Sequence, residues 1–137
     1  MTKKQRGWFR SSKRTSKPKV PASTKEMVKT RADELIETVL KPKYVTPPPE
    51  GMIYNYVVDV YTKWYRNYFY FCAKYACPHP NAISSHFETK FARMEYVAHD
   101  CYHMSYLRHN DKWAEIFYSL SLDECFKNVQ ENPTFML

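Results

Sequence analysis

The stretch Phe91–Tyr118, FARMEYVAHDCYHMSYLRHNDKWAEIFY, decides the fold. Apolar and polar residues alternate along three runs, and two short polar segments, ending in Asp100 and Asp111, separate these runs. Such alternation is typical of half-buried strands, and short loops that contain Asn or Asp are typical of hairpins. The stretch therefore predicts three antiparallel strands joined by two hairpin loops.

The register of these strands follows if the loops are Ala98–Asp100 and His109–Asp111, each of three residues. The predicted pairs are Val97 with Cys101, Met94 with Met104, Tyr106 with Ala114 and Met104 with Ile116. The apolar face then consists of Ala92, Met94, Tyr96, Tyr102, Met104, Tyr106, Ala114, Ile116 and Tyr118. The other face carries Arg93, Glu95, His103, Ser105 and Glu115, with Phe91, Val97, Leu107, Trp113 and Phe117 at its ends. A slip of one residue would mix the two sets, so this partition supports the register.

A helix is predicted after the third strand, over about residues 122–131. Ser121–Glu124 is a capping box, in which the serine accepts from a backbone amide and the glutamate reaches back. Asn132–Pro133 ends the helix. Its apolar stripe consists of Leu122, Cys125, Phe126 and Val129, and we expect this stripe to cover one face of the sheet.

A second helix is predicted nearer the N-terminus, over about residues 24–40. Ser23–Glu26 reads as another capping box, and Pro42 is expected to end the helix. Residues 42–51 contain three consecutive prolines followed by Glu50 and Gly51, which predicts a stiff, extended linker and a turn. The apolar stripe consists of Val28, Ala32, Leu35, Ile36 and Val39.

Residues 53–77 fit two interpretations. Apolar residues recur at helical spacing, but the segment is dense in Val, Tyr, Phe, Trp and Thr, which favours strands because such side chains lose rotamer freedom in a helix. A hairpin over Tyr56–Cys77 would turn at Arg66 and Asn67. The fold class predicted for the whole chain is α+β, with an antiparallel meander of about five strands and two helices. The apolar tail Thr134–Leu137 is expected to tuck against the sheet.

The charge of the chain is concentrated at its N-terminus. Residues 1–20 carry eight basic groups and no acidic group, whereas the remaining 117 residues carry 13 basic and 14 acidic groups, a net charge of −1. We predict that residues 1–22 form a disordered basic arm, because they are too polar to bury surface, and that residues 23–137 form a single α+β domain. Within the arm, Trp8 and Phe9 are the only large aromatic residues.

The sequence predicts a cytoplasmic protein with no membrane association. The N-terminus has no apolar run of the length that a signal peptide needs, and charged residues interrupt the longest aromatic stretch. The four cysteines are therefore expected to be free thiols in a reducing compartment. The near absence of glycine argues against a phosphate-cradling loop, and no cofactor is predicted.

Two constellations resemble chemical sites but are not favoured. Cys72, Cys77, His79 and His86, with Cys101 and His103 further on, could supply zinc ligands, but structural zinc sites usually show two tightly spaced pairs and only Cys77 and His79 are so spaced. Glu95, His103 and Ser105 would meet on one sheet face, as a general-base site requires, but a solvated face with cross-strand charge pairs has the same composition. We therefore predict neither a metal site nor catalytic residues.

Nucleic acid is the favoured ligand. A cationic arm gains affinity by releasing counterions, and aromatic side chains on a sheet can stack on unpaired bases. The predicted contact residues are Lys3, Lys4, Arg6, Trp8, Arg10, Lys13, Arg14, Lys17, Lys19, Lys63, Trp64, Arg66, Arg93, Arg108, Lys112 and Trp113. The sequence thus predicts a small non-enzymatic protein that binds nucleic acid or a nucleoprotein complex. One alternative is an interaction module, either a homodimer or a subunit of a larger complex, and another is an enzyme that uses the Glu95, His103 and Ser105 face.

Overall fold

The computed structural model describes residues 18–137. Helix α1 spans Ala22–Leu35 and continues through a π-helical turn, Ile36–Leu40, into the short helix α2, Lys41–Tyr44. The five strands are β1 (Tyr56–Tyr65), β2 (Tyr68–Ala76), β3 (His86–Ala98), β4 (Cys101–Leu107) and β5 (Trp113–Leu120). Helix α3 (Leu122–Glu131) and a 3-10 turn (Pro133–Phe135) complete the chain.

The strands form one antiparallel sheet in the order β1-β2-β3-β4-β5. The predicted α+β fold with a five-stranded meander is confirmed. The hairpin interpretation of residues 53–77 is also confirmed, since β1 and β2 pair along their length and turn at Arg66 and Asn67. Arg66 takes a left-handed conformation there, with φ of 54°.

The central part of the predicted register is confirmed. Met94 pairs with Met104, and Tyr106 pairs with Ala114. On the other face, three residues lie in one line across β3, β4 and β5 as predicted, namely Arg93, Ser105 and Glu115. Glu95 also pairs with His103. Two-residue alternation was therefore sufficient to predict which side chains share a face in the middle of the sheet.

The register at the strand ends departs from the prediction because the strands contain bulges. Cys101 pairs with Ala98 and not with Val97, so the β3–β4 loop has two residues, and Asp100 takes the left-handed conformation that this tight turn uses. Met104 pairs with Phe117 and not with Ile116, so β5 contains an extra residue at this point, and a second extra residue lies between the pairs Met104–Phe117 and Tyr102–Leu120. The faces of Phe117 and Tyr118 are consequently exchanged relative to the prediction. The same effect of a bulge places Phe91 in the core.

The predicted C-terminal helix and its cap are confirmed. In α3, the Ser121 hydroxyl accepts from the backbone amide of Glu124 over 3.2 Å, and the Glu124 carboxylate accepts from the amide of Ser121 over 2.8 Å. Phe135, in the tail that follows, is completely buried in the core. The C-terminal segment is thus fixed at both ends of α3.

The N-terminal helix was predicted correctly in position but not at its ends. It begins one residue before Ser23, at Ala22, after an extended Pro21 that provides no side-chain cap, so the predicted capping box is wrong. Pro42 does not end the helical path, which continues to Tyr44. Pro42 lacks the N–H that would donate to the preceding turn, and the helical path directly before it is the π-helical turn Ile36–Leu40.

Helices α1 and α3 pack on the same face of the sheet. The Trp64 indole nitrogen donates to the carbonyl of Lys25 in α1 over 3.1 Å, and the ring of Phe71 meets that of Phe126 in α3 edge to face. We call this side the core face; its residues include Val60, Thr62, Trp64, Phe69, Phe71, Ala92, Met94, Tyr96, Tyr102 and Met104. Within residues 18–137, no helix packs across the opposite side, which we call the open face.

The packed body reaches further toward the N-terminus than residue 23. Val20 is buried in the core, and the side-chain amide of Asn67 donates to the carbonyl of Pro18 over 2.9 Å. The chain at Pro18 therefore lies against the β1–β2 turn. The remainder of the predicted arm, residues 1–17, lies outside the described residues.

Candidate nucleic-acid interface

The open face carries aromatic and charged side chains from all five strands. Cross-strand pairing places Tyr65, Tyr68, Glu95 and His103 in one line, and the His103 ring contacts that of Tyr118 on β5; we call these five residues the tyrosine row. A second line, one pleat further along the strands, consists of Lys63, Tyr70, Arg93, Ser105 and Glu115. Tyr61, Cys72, Lys90 and Trp113 follow on the same face. The face thus interleaves rings with cations, as a base-stacking surface requires.

Arg93 lies at the centre of this face, between two aromatic rings. Its guanidinium carbon is 4.6 Å from the ring centroid of Tyr68 and 4.9 Å from that of Trp113. One terminal nitrogen donates to the hydroxyl of Ser105 over 3.3 Å, whereas the buried Nε has no acceptor among the described atoms. The guanidinium thus makes cation–π contacts with two rings from different strands, and the Ser105 hydrogen bond adds a third contact.

Tyr70 extends the cluster. Its ring centroid is 5.8 Å from that of Trp113 and 6.2 Å from that of Tyr68, and the Lys90 ammonium lies 5.5 Å from the Tyr70 ring. Burial raises the pKa of the Tyr70 hydroxyl above its usual value, so the hydroxyl stays protonated at neutral pH. We call Tyr68, Tyr70, Lys90, Arg93 and Trp113 the stacked cluster.

Two tyrosines at the ends of the tyrosine row are more exposed than the stacked cluster. Tyr65, on β1, is 55% exposed and has the guanidinium of Arg66 5.1 Å from its ring. Tyr118, on β5, is 59% exposed, and its ring meets the His103 ring at a centroid distance of 5.1 Å. Each ring therefore has a neighbouring side chain in contact, and each residue keeps more than half of its accessible surface.

The structure brings together only some of the residues predicted to contact nucleic acid. Arg93 and Trp113 touch each other on the open face, and Lys63 is exposed on the same face. Trp64 lies on the core face against α1 and is not part of this surface. The remaining cations lie elsewhere: Lys19 is exposed near the β1–β2 turn, Arg66 lies within that turn, and Arg108 and Lys112 are exposed at the β4–β5 turn. The predicted arm residues from Lys3 to Lys17 lie outside the described residues.

Five aromatic or basic residues of the open face were not among the predicted nucleic-acid contacts, namely Tyr65, Tyr68, Tyr70, Lys90 and Tyr118. Strand parity contained the signal for most of them, because Lys63 and Trp64 are adjacent and adjacent residues of a strand point to opposite faces. Lys63 was among the predicted contacts, and strand parity from Lys63 selects Tyr65 on the same strand and Tyr68 across the turn. Tyr118 could not have been found in this way, since the β5 bulge reverses its parity.

The acid–base alternative loses support from the geometry. Glu95 and Ser105 lie on the open face but are only 5% and 1% exposed. The Nδ1 atom of His103 accepts from the backbone amide of Ser119 over 3.1 Å. This nitrogen therefore cannot also donate to an orienting carboxylate. A general base and nucleophile must both reach a substrate, and these three side chains are not presented in that way.

The four cysteines differ in burial, since Cys72 and Cys125 are buried whereas Cys77 and Cys101 are partly exposed. Burial raises the pKa of the Cys72 thiol, and it raises that of Cys125 to about 12, so both thiols are protonated at neutral pH. Cys77 and His79 line a loop pocket of about 440 Å³. In the part of the chain that the structure describes, no three His, Cys, Asp or Glu side chains converge as a metal site would require.

Among residues 18–137, no helix is both long enough and apolar enough to cross a bilayer.

Comparison with known proteins assigns a family but no activity. Residues 20–137 match the family model described as "Domain of unknown function (DUF3024)". Neither the curated proteins nor the solved structures contain a significant match. The match covers the whole packed body, from Val20 to the last residue, and the chain therefore belongs to the DUF3024 family.

Proposed function

We propose that this protein binds nucleic acid or a nucleoprotein complex through its basic N-terminal segment, aided by the open face of the sheet. The observation that carries this proposal is the charge distribution. Residues 1–20 carry a charge of +8, and the remaining 117 residues sum to −1. A body that is almost neutral adds little net electrostatic attraction for a polyanion, so we assign the electrostatic part of the affinity to the N-terminal segment.

The physical basis of this affinity is counterion release. Each phosphate that a Lys or Arg neutralises frees a condensed cation, and the logarithm of the binding constant then falls linearly with the logarithm of salt concentration. This contribution does not depend on base sequence. The open face supplies a second, less salt-dependent contribution, because Arg93, Trp113 and their neighbours combine cations with aromatic rings.

A salt titration tests the proposal. The full-length protein is titrated with single-stranded and double-stranded oligonucleotides at several salt concentrations, and we expect a steep negative log–log slope. A matched variant keeps the length but replaces the seven basic residues of positions 1–17 with glutamine. In this variant the slope should shrink by several units, about 0.7 to 0.9 for each phosphate that is no longer neutralised. Absent or salt-insensitive binding by the full-length protein would overturn the proposal.

A second candidate function is that of a protein-interaction module. It is favoured by exposed apolar residues at the end of the sheet where β1 begins, namely Ile53, Tyr54, Ile83 and Phe87. Patches of this kind usually mark interfaces. Light scattering over a range of concentrations tests this function: a mass above that of one 16.4 kDa chain supports it, and a monomer at all concentrations opposes a homodimer.

A further inference from the structure

We infer that the open face is a binding surface for single-stranded nucleic acid, with Tyr65 and Tyr118 stacking on unpaired bases at the two ends of the tyrosine row. This inference rests on the proposed function and adds two statements to it. The first is that the ligand is single-stranded and not duplex. The second is that two side chains on the edge strands carry this preference.

The tyrosine row extends from one edge strand of the sheet to the other. Tyr65 pairs with Tyr68, and Glu95, paired with Tyr68, pairs in turn with His103. The His103 ring contacts that of Tyr118, so the row crosses all five strands. Adjacent strands are about 4.8 Å apart, which places Tyr65 and Tyr118 roughly 19 Å from each other. At about 3.4 Å per nucleotide of a stacked strand, this distance corresponds to some five or six nucleotides.

Tyr65 and Tyr118, at the two ends of the row, are both accessible to solvent. The two residues are 55% and 59% exposed, and each ring has one charged or aromatic neighbour, the Arg66 guanidinium for Tyr65 and the His103 ring for Tyr118. A supported ring that remains accessible can stack on a base without losing much conformational entropy. The bases of a duplex already stack on each other and offer no free ring face, so these tyrosines select unpaired strands.

The basic N-terminal segment joins the folded body near the Tyr65 end of the row. Pro18, where the described chain begins, is hydrogen-bonded to Asn67 in the β1–β2 turn. Tyr65 and Arg66 belong to the same turn region, so the basic segment is attached at the Tyr65 end of the row.

The open face itself carries positive and negative side chains in equal number. Four cations are offset by four carboxylates, namely Lys63, Lys74, Lys90 and Arg93 against Asp59, Glu88, Glu95 and Glu115. Attraction of the phosphates is therefore left to the basic segment, and the face contributes stacking. The two contributions separate experimentally, because the first depends steeply on salt and the second does not.

The test uses the full-length protein with fluorescent oligo(dT), oligo(U) and a DNA duplex of matched length. The variants are Tyr65→Ala and Tyr118→Ala, with Tyr65→Phe and Tyr118→Phe as conservative partners. Tyr54→Ala is the matched control, because Tyr54 is 73% exposed but precedes β1 and so lies at the opposite end of that strand from Tyr65. All five substitutions change exposed side chains, and thermal unfolding checks that each variant folds.

The expected result is a reduction of single-strand affinity of about 5- to 150-fold for each alanine variant, the effect of removing one base stack. The phenylalanine variants and Tyr54→Ala should bind as the wild type does, and duplex affinity should be unchanged in every variant. The oligo(dT) and oligo(U) arms identify whether DNA or RNA is preferred.

Three other outcomes would overturn the inference. If the wild type binds single strands and duplex equally and the alanine variants do not weaken binding, the proposed function stands and the inference fails. If the wild type binds no oligonucleotide, both fail. If the alanine variants instead lower the mass measured by light scattering without lowering affinity, the face is a protein interface.

Discussion

The guanidinium of Arg93 lies over the ring of Tyr68, with its central carbon 4.6 Å from the ring centroid. Trp113 is the second ring in contact, with its centroid 4.9 Å from the same carbon. These three residues come from β3, β2 and β5, so the contact links side chains across strands that are not all neighbours in the sheet. The centre of the open face is therefore held by stacking around one cation, in place of a covering helix.

Replacing Arg93 with lysine should destabilise the protein although the charge is retained. Lysine has no planar group to stack between two rings and cannot reproduce the directed contact with Ser105. We expect the free energy of unfolding, measured by urea denaturation, to fall by about 1 kcal/mol. The control is Arg108→Lys, a change at an exposed residue of the β4–β5 turn. An equal decrease in the two variants would contradict the role given to the stacked guanidinium.

The two Ser-x-x-Glu segments should respond differently to alanine. Ser121 caps α3 through a hydrogen bond to the Glu124 amide, so Ser121→Ala should cost about 1 kcal/mol of unfolding free energy. Ser23 lies inside α1 and caps nothing, so Ser23→Ala should be neutral or slightly stabilising, since alanine is the better helix former. Urea denaturation of the two variants in parallel makes the comparison, and a cost at Ser23 similar to that at Ser121 would contradict the observed helix start.

Thr62 should contribute to the attachment of α1 to the sheet. Its hydroxyl donates to the Asp33 carboxylate over 2.7 Å and accepts from the Lys29 ammonium over 2.9 Å, and the side chain is buried. Thr62→Val preserves the shape but removes both bonds, and we expect a decrease of about 1 to 2 kcal/mol in unfolding free energy. Thr46→Val, in the exposed linker, is the matched control and should have almost no effect. A decrease below roughly 0.5 kcal/mol, the usual cost of a surface change, would show that the network adds nothing.

The sheet was predictable because alternation determines both strand identity and face. The pairs Met94–Met104 and Arg93–Ser105 needed only the sequence pattern and approximate loop lengths. The bulge in β5 was not predictable, because Ile116 and Phe117 are both apolar and both pack near the core, so no polar residue marks the extra position. This bulge alone decided which face Tyr118 occupies.

The candidate site was less predictable than the fold for a related reason. Aromatic residues are abundant on both faces of the hairpin, and composition does not distinguish Trp64, which packs under α1, from Tyr65, which is exposed. Similarly, two segments share the Ser-x-x-Glu pattern, but only Ser121 is extended and positioned as an N-cap. The local sequence pattern identifies candidate residues, but tertiary packing determines which of them are exposed or act as helix caps.

Alkaline pH should destabilise the protein through its buried acids. Burial raises the pKa of the Cys125 thiol from 9.0 to about 12 and that of the Tyr102 hydroxyl from 10.0 to about 12. The unfolded chain therefore loses these protons at a lower pH than the folded protein. Their stabilisation is complete below about pH 9 and is lost as pH rises toward about 12.

Cys125→Ala isolates one part of this pH effect. The variant is less stable at every pH because it leaves a small cavity, but its stability should decline less steeply than that of the wild type between about pH 9 and 10, where thiols titrate before tyrosines. A single thiol can contribute at most about 1.4 kcal/mol per pH unit to this slope. Urea denaturation across this range gives the two profiles, with Cys77→Ala, at a half-exposed loop thiol, as the control. Parallel profiles for the wild type and Cys125→Ala would show that the buried thiol does not govern alkaline unfolding.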